Sequence, residues 1–154
     1  MAKAQALPGT YRAWQMENKN TIIEIEMEFQ FNFEDHPVKG YIDRLEQTPD
    51  GEIGVVDFKT GLKPSELTTK SVREDFQMDL YCPGVKEMFG RLPVKASLFY
   101  LKDNKLVDYI PDEGSITAFT ERMSTMIQSI HAEQFPACPG QTCRYCDYGS
   151  LWDA

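Results

Sequence analysis

Residues 40–59 constrain the fold of this chain more than any other stretch. Gly40-Tyr41-Ile42-Asp43-Arg44-Leu45-Glu46 and Ile53-Gly54-Val55-Val56-Asp57-Phe58-Lys59 are apolar runs with strand composition, and Thr48-Pro49-Asp50-Gly51 between them carries the chemistry of a tight turn. The pair reads as a hairpin. Side chains two apart on a strand leave the same face, so Asp57 and Lys59 share one, and the hairpin brings Asp43 close to them. Two carboxylates and an ammonium on one face are costly unless a cation or a substrate uses them. A divalent metal held by Asp43 and Asp57, with Lys59 beside it, would account for the cost.

The flanking segments extend this hairpin. Residues 21–33 alternate, with Ile23, Ile25, Met27, Phe29, Phe31 and Phe33 on one face and Glu24, Glu26, Glu28, Gln30 and Asn32 on the other. This predicts a long strand with one buried face; Glu24 and Glu28 read as solvated. Glu34-Asp35-His36-Pro37 is a turn with an exposed His36, and the three strands make an antiparallel meander. Residues 71–89 read as a helix with Ser71 as N-cap and Glu74 in a capping box. Its expected apolar stripe is Val72, Phe76, Leu80, Met88 and Phe89, with a kink or split at Pro83-Gly84. Gln77 and Tyr81 lie one turn apart on one face of it. Residues 92–101 and 106–110 are strands around a turn at Asp103-Asn104. Residues 115–133 are a helix whose stripe from Ile116 to Ile130 is core. Tyr11, Trp14 and Met16 fit either a short helix or a tail packed on the core.

A chain of 154 residues with 42% apolar and 26% charged residues suits one folded domain with its own core. No apolar run approaches the roughly 20 residues that span a bilayer, and the first residues lack an apolar signal core. These features predict a cytoplasmic protein with no membrane partner, whose four cysteines are reduced or metal-bound. The net charge of −8 argues against broad nonspecific attraction to nucleic acid.

The G-x-I-D-R segment at Gly40 to Arg44, the V-V-D-x-K-T-G segment at Val55 to Gly61 and the following Gln77-x-x-x-Tyr81 resemble the PD-(D/E)xK nuclease superfamily. Within it they resemble the RecB-like nucleases, as in the nuclease domains of RecB- and AddAB-type helicase–nucleases. The resemblance runs from about Glu26 to Trp152. Ile42 stands where the superfamily's hallmark has proline, and no His precedes His36, where RecB-like members often supply one from an N-terminal helix. The resemblance implies an α/β fold with a restriction-endonuclease-like core: a central mixed sheet, made of the meander plus further strands, flanked by helices. Residues 1–20 would be an N-terminal helix or tail, 21–134 the nuclease core, and 135–154 a cysteine-containing tail packed on it. It also implies a Mg²⁺- or Mn²⁺-dependent deoxyribonuclease, exo- or endonucleolytic, acting on DNA in repair, recombination or phage-defence processing, alone or with a helicase. Asp43, Asp57 and the Phe58 carbonyl would hold the metal, with Glu26 completing the shell and Glu28 as the alternative in a shifted register. Lys59 would act on the attacking water or on developing charge, and Gln77 and Tyr81 would position the strand.

The tail, with Cys138, Cys143 and Cys146, resembles the cysteine-rich end of RecB-like nucleases that carry an iron–sulfur cluster. Their C-x2-C-x5-C spacing is met at Cys143 and Cys146, but Trp152 fills the third place. With His131 or Cys82 as an outside ligand, the three cysteines are candidates for zinc or a cluster; the alternative is a reduced knuckle packed on the core. Two rival readings stand beside the enzyme: a catalytically inactive nuclease-like module that binds nucleic acid or protein, and a structural metal domain whose only site is the tail.

Overall fold

Five strands form one sheet in the order β1-β2-β3-β4-β5. The strands are β1 (Thr21–Phe33), β2 (His36–Gln47), β3 (Ile53–Lys59), β4 (Lys95–Tyr100) and β5 (Lys105–Tyr109); the helices are α1 (Ala2–Glu17), α2 (Thr69–Arg73), α3 (Phe76–Phe89) and α4 (Glu113–His131). The computed structural model describes residues 2–61, 67–136 and 140, with side chains from Pro8 onward. The chain divides into two compact units, Met1–Thr120 and Glu121–Ala154. The first contains the sheet and the candidate active-site residues.

The expected meander is present: β1–β2 and β2–β3 are antiparallel. The second turn is closed by Gly51 at φ +83°, by the Thr48 amide donating to Glu52 O at 2.8 Å and by the Gly51 amide donating to Thr48 O at 2.9 Å. This fixes the register at Gln47 opposite Ile53. β4 then joins β3 in parallel and β5 returns antiparallel, so the sheet is mixed. The turn between β4 and β5 contains Asn104 at φ +48°, as Asp103-Asn104 suggested.

β1 departs from simple alternation. Phe29, Phe31 and Phe33 are buried, whereas Ile23 and Ile25 are 38% and 57% exposed. The register shifts between Ile22 and Glu24, and Glu26 adopts φ +53°, a left-handed conformation rare for a side-chain-bearing residue. Each irregularity breaks the two-residue period, so the N-terminal isoleucines do not share the face of the phenylalanines.

Residues 71–89 form two helices, and the break lies at Glu74-Asp75 rather than at Pro83. Thr68 caps α2 with Ser71 returning the bond from its N3 position. Asp75 restarts the chain as N-cap of α3, accepting from the Gln77 and Met78 amides. Pro83 sits inside a continuous α3. The buried stripe is Met78, Tyr81, Cys82 and Val85, not the one through Phe76 and Phe89, which are each 37% exposed.

Gly84 explains why α3 carries no side chain at its closest approach to the sheet. A Cβ there would lie 2.7 Å from Phe29 Cδ2, and one on Gly40 of β2 would lie 2.6 Å from Phe29 Cζ. The Phe29 ring is thus clamped between two glycines, with Tyr81 meeting it edge-on at 6.0 Å. Phe31 and Phe33 pack against Phe119 of α4. Further along α4, Met126 and Ile130 are exposed, so the expected core stripe does not extend over its whole length.

Of the two alternatives for the N-terminus, the helix is the one observed. Tyr11 and Trp14 of α1 pack edge-on against Phe58 at 5.4 and 5.8 Å, while Met16 is 79% exposed. An ion pair beneath α1 was not foreseen from the order of residues. Arg44 and Glu46, each 1% exposed, are joined by Nε and Oε2 at 3.0 Å. The guanidinium lies 4.8 Å from the Trp14 ring centroid and donates to Tyr11 OH at 3.3 Å and to Gln15 Oε1. Asn18 and Asn20 donate to Glu46. A buried pair needs such satisfaction to offset its desolvation; here the satisfaction comes from α1 and the link after it, so the pair ties the helix to the sheet.

Candidate active site

β3 divides its side chains between two layers. Phe58 faces the aromatic cluster of α1, and Asp57 and Lys59 turn toward α3, as period-two geometry requires. Lys59 Nζ lies 2.7 Å from Asp57 Oδ2 and donates to Gln77 Oε1. Gln77 Nε2 donates to Tyr81 OH at 3.5 Å, and Tyr81 OH donates to Asp57 Oδ1 at 3.3 Å. Four side chains from one strand and one helix therefore close a ring. Gln77 and Tyr81 reach it together because they are one helical turn apart.

Asp43 joins this ring from β2. The β2–β3 ladder runs from Gln47↔Ile53 to Arg44↔Val56, and the next residues in line are Asp43 and Asp57. Here Asp43 Oδ2 accepts the Phe58 amide at 2.9 Å, so the carboxylate lies against the strand that carries Asp57 and Lys59. On the other side of β2 the paired residues Ile25↔Arg44 and Met27↔Ile42 put Glu26 level with Asp43. Glu26, Asp43 and Asp57 thus occupy one row across three strands. Among the described residues no three acidic, histidine or cysteine side chains gather closely enough to hold a metal ion, so Glu26 shares the row without closing a three-ligand cluster. Glu28 is exposed and engaged with Lys39 at 3.0 Å and Tyr41 at 2.8 Å; it fits the solvated reading.

The electrostatics follow from burial. Asp57 is 2% exposed, and desolvation pushes its carboxyl above the ordinary range, opposed by Lys59 and reinforced by Asp43 and Asp75. Its Oδ2 is held by the Lys59 ammonium at 2.7 Å. Burial raises Tyr81 as well, helped by the charges of Asp57 and Asp43, which keeps its hydroxyl protonated and a donor. Tyr100, level with Lys59 on β4, is raised by burial and drawn down by Lys59. Sequence reasoning passed over Tyr100 and Asp75; the parallel β3–β4 register and the N-cap at Asp75 bring them here.

These oxygens suit a hard divalent cation. A buried carboxylate on Asp57, a second carboxylate on Asp43 and a neighbouring backbone carbonyl are the donor types that Mg²⁺ and Mn²⁺ accept. Cys138, Cys143 and Cys146 lie outside the described residues. Cys82 is buried with Sγ 3.3 Å from Tyr109 OH, its thiol pushed up to about 12 by burial; it packs as a small apolar side chain. His131 is exposed near the end of α4.

The family model of the PD-(D/E)XK nuclease superfamily matches residues 2–151. The chain belongs to that superfamily. Superfamily membership supports nuclease-type function. The chain is 28% identical over 130 residues to "Gene 69 protein" of Mycobacterium phage D29, a match that covers 80% of this chain and 45% of that protein. The crystal structure of SSO0001 shares the fold with a TM-score of 0.55 at 17% identity, covering 96% of this chain and 66% of that one. The chain thus spans about half of the phage relative. No described helix is long and apolar enough to cross a membrane.

Proposed function

We propose that this chain is a divalent-metal-dependent deoxyribonuclease of the RecB-like branch, acting inside the cell in DNA repair, recombination or phage-defence processing, alone or beside a helicase. The observation that carries the reading is the Asp43 carboxylate held on the Phe58 amide beside the buried Asp57–Lys59 pair. Asp43, Asp57 and the Phe58 carbonyl would hold Mg²⁺ or Mn²⁺, with Glu26 reaching the ion directly or through water. When bound, the ion would supply Lewis acidity toward the phosphate and toward the attacking water.

The remaining steps belong to the chain. Lys59, steered by Asp57 and Gln77, offers its ammonium to the water or to the charge that develops on the phosphate. Tyr81 holds Asp57 in one rotamer by donating to Oδ1. Gln77 exchanges its bond to Lys59 for one to the incoming strand, which releases the ammonium as substrate arrives. Single-stranded and duplex DNA incubated with Mn²⁺, Mg²⁺ or EDTA test the reading. Cleavage that needs metal and disappears in Lys59→Met supports it. A second reading, a non-catalytic module that binds nucleic acid or protein, is favoured by the net charge of −8; binding without cleavage under every metal would select it.

A further inference from the structure

The parallel strands β3 and β4 end side by side at the candidate active site. Lys59 stands level with Tyr100, and the Leu101 amide donates to Lys59 O at 3.1 Å, so the pairing holds to the last residue of β3. Partners in a parallel ladder send their side chains to one face. Tyr100 therefore leaves the sheet on the side of Asp57, Lys59 and α3, and the charges of Lys59, Asp75 and Asp57 all act on its hydroxyl. Tyr100 is 9% exposed: its ring is packed and only a margin of it meets water. The other donors of the site are engaged with one another. Tyr81 OH bonds Asp57, Gln77 Nε2 bonds Tyr81, and Lys59 Nζ reaches both Asp57 and Gln77. Among the described residues the Tyr100 hydroxyl makes no hydrogen bond.

We infer that Tyr100 is a further substrate-contacting residue, whose hydroxyl donates to a non-bridging oxygen of the scissile phosphate while Lys59 attends the same group from β3. The inference rests on the nuclease reading and adds a residue to its machinery. Packing alone would be met by phenylalanine. A hydroxyl set among charged groups and bonded to none of them is a donor left for an acceptor that comes from outside. The neighbouring carboxylates of Asp57 and Asp75 repel a phosphate, so an arriving phosphate oxygen needs a donor to land on. A phenol suits this place better than a second ammonium, because it grips phosphate without pairing with either carboxylate. Burial and those carboxylates hold the phenol above its ordinary range against the pull of Lys59, so it remains protonated at neutral pH.

Tyr100→Phe keeps the ring and removes the donor. Because the hydroxyl bonds nothing else in the described chain, the variant should unfold at the wild-type temperature in EDTA. With Mn²⁺ and an oligonucleotide that the wild type cleaves, its kcat/KM should fall about tenfold, the loss of one hydrogen bond to a charged group. Oligonucleotides with a single Rp or Sp phosphorothioate at the cleaved bond then locate the contact. Sulfur is a weak hydrogen-bond acceptor, so wild type and variant should cleave one of the two isomers at the same rate, and the tenfold gap should persist on the other. Three results overturn the inference and leave the nuclease reading standing: a variant as fast as wild type on the phosphate, one slowed equally on the phosphate and both isomers, or one with a lowered unfolding temperature. A wild-type protein that cleaves no DNA under any metal overturns both.

Discussion

Replacing Asp57 by Asn removes its charge and keeps its shape. Asp57 is 2% exposed, and taking its charge out of water carries a desolvation cost of roughly 1–3 kcal/mol. The ion pair with Lys59 offsets part of this. Lys59, with 23% of its side chain exposed, regains water when the pair is lost. The balance leaves Asp57→Asn more stable than wild type by about 1 kcal/mol without metal, or roughly 2–4 °C in Tm for a chain of this size. A divalent ion at ten times its Kd stabilises wild type by about 1.4 kcal/mol and the variant by nothing measurable. Calorimetric scans in EDTA and in Mn²⁺ read both differences, and DNA cleavage should be absent from the variant. A variant less stable than wild type in EDTA would refute the argument from desolvation. A Mn²⁺ shift that survives in the variant would remove Asp57 as a ligand.

The same carboxyl sets a pH dependence. Because burial raises it, the folded chain keeps this proton where the unfolded chain has released it; the associated stability is complete below the ordinary carboxylate range and is lost as pH rises through the raised value. Mn²⁺ needs the ionised form, so its affinity by isothermal titration should increase over that window; an affinity that has already levelled off within the ordinary carboxylate range contradicts the raised carboxyl. Gly84→Ala should lower stability by about 1–2 kcal/mol in urea titration, since overpacking against the clamped Phe29 ring outweighs the helix-propensity gain; an unchanged midpoint would mean the ring can move. Arg44→Met leaves Glu46 buried and unpaired and should cost about 3–5 kcal/mol, most of it recovered in Arg44→Met/Glu46→Leu. A double variant as unstable as the single one would show that the pair does more than satisfy itself.

The catalytic-looking face was legible because its information is local. A turn built on Pro49 and Gly51 fixes the hairpin register, and with it the meeting of Asp43 with Asp57 and Lys59; Gln77 and Tyr81 follow from helical spacing. What was missed depends on distant or competing signals. Arg44 and Glu46 sit in an apolar run, and their partners Tyr11, Gln15, Asn18 and Asn20 are ordinary polar residues far away in the chain. Pro83 looked like the helix breaker, yet Asp75 offered a stronger local stop by capping a new helix, and that signal was present to be read. Ile23 and Ile25 obeyed the alternation in sequence; a shifted register and one left-handed glutamate undid it in space. Leu62 to Glu66 and the cysteine tail fall outside the described residues.

Asp43 and Arg44 are consecutive, yet one serves the acidic row and the other anchors α1. Insertion or deletion of a single residue within β2 would swap their destinations, sending a guanidinium among the acidic groups and a bare carboxylate under the Trp14 indole. One genetic event would thus ruin chemistry and architecture together. Length changes among natural versions of this domain should therefore collect in the Thr48–Glu52 turn and spare the strand before it.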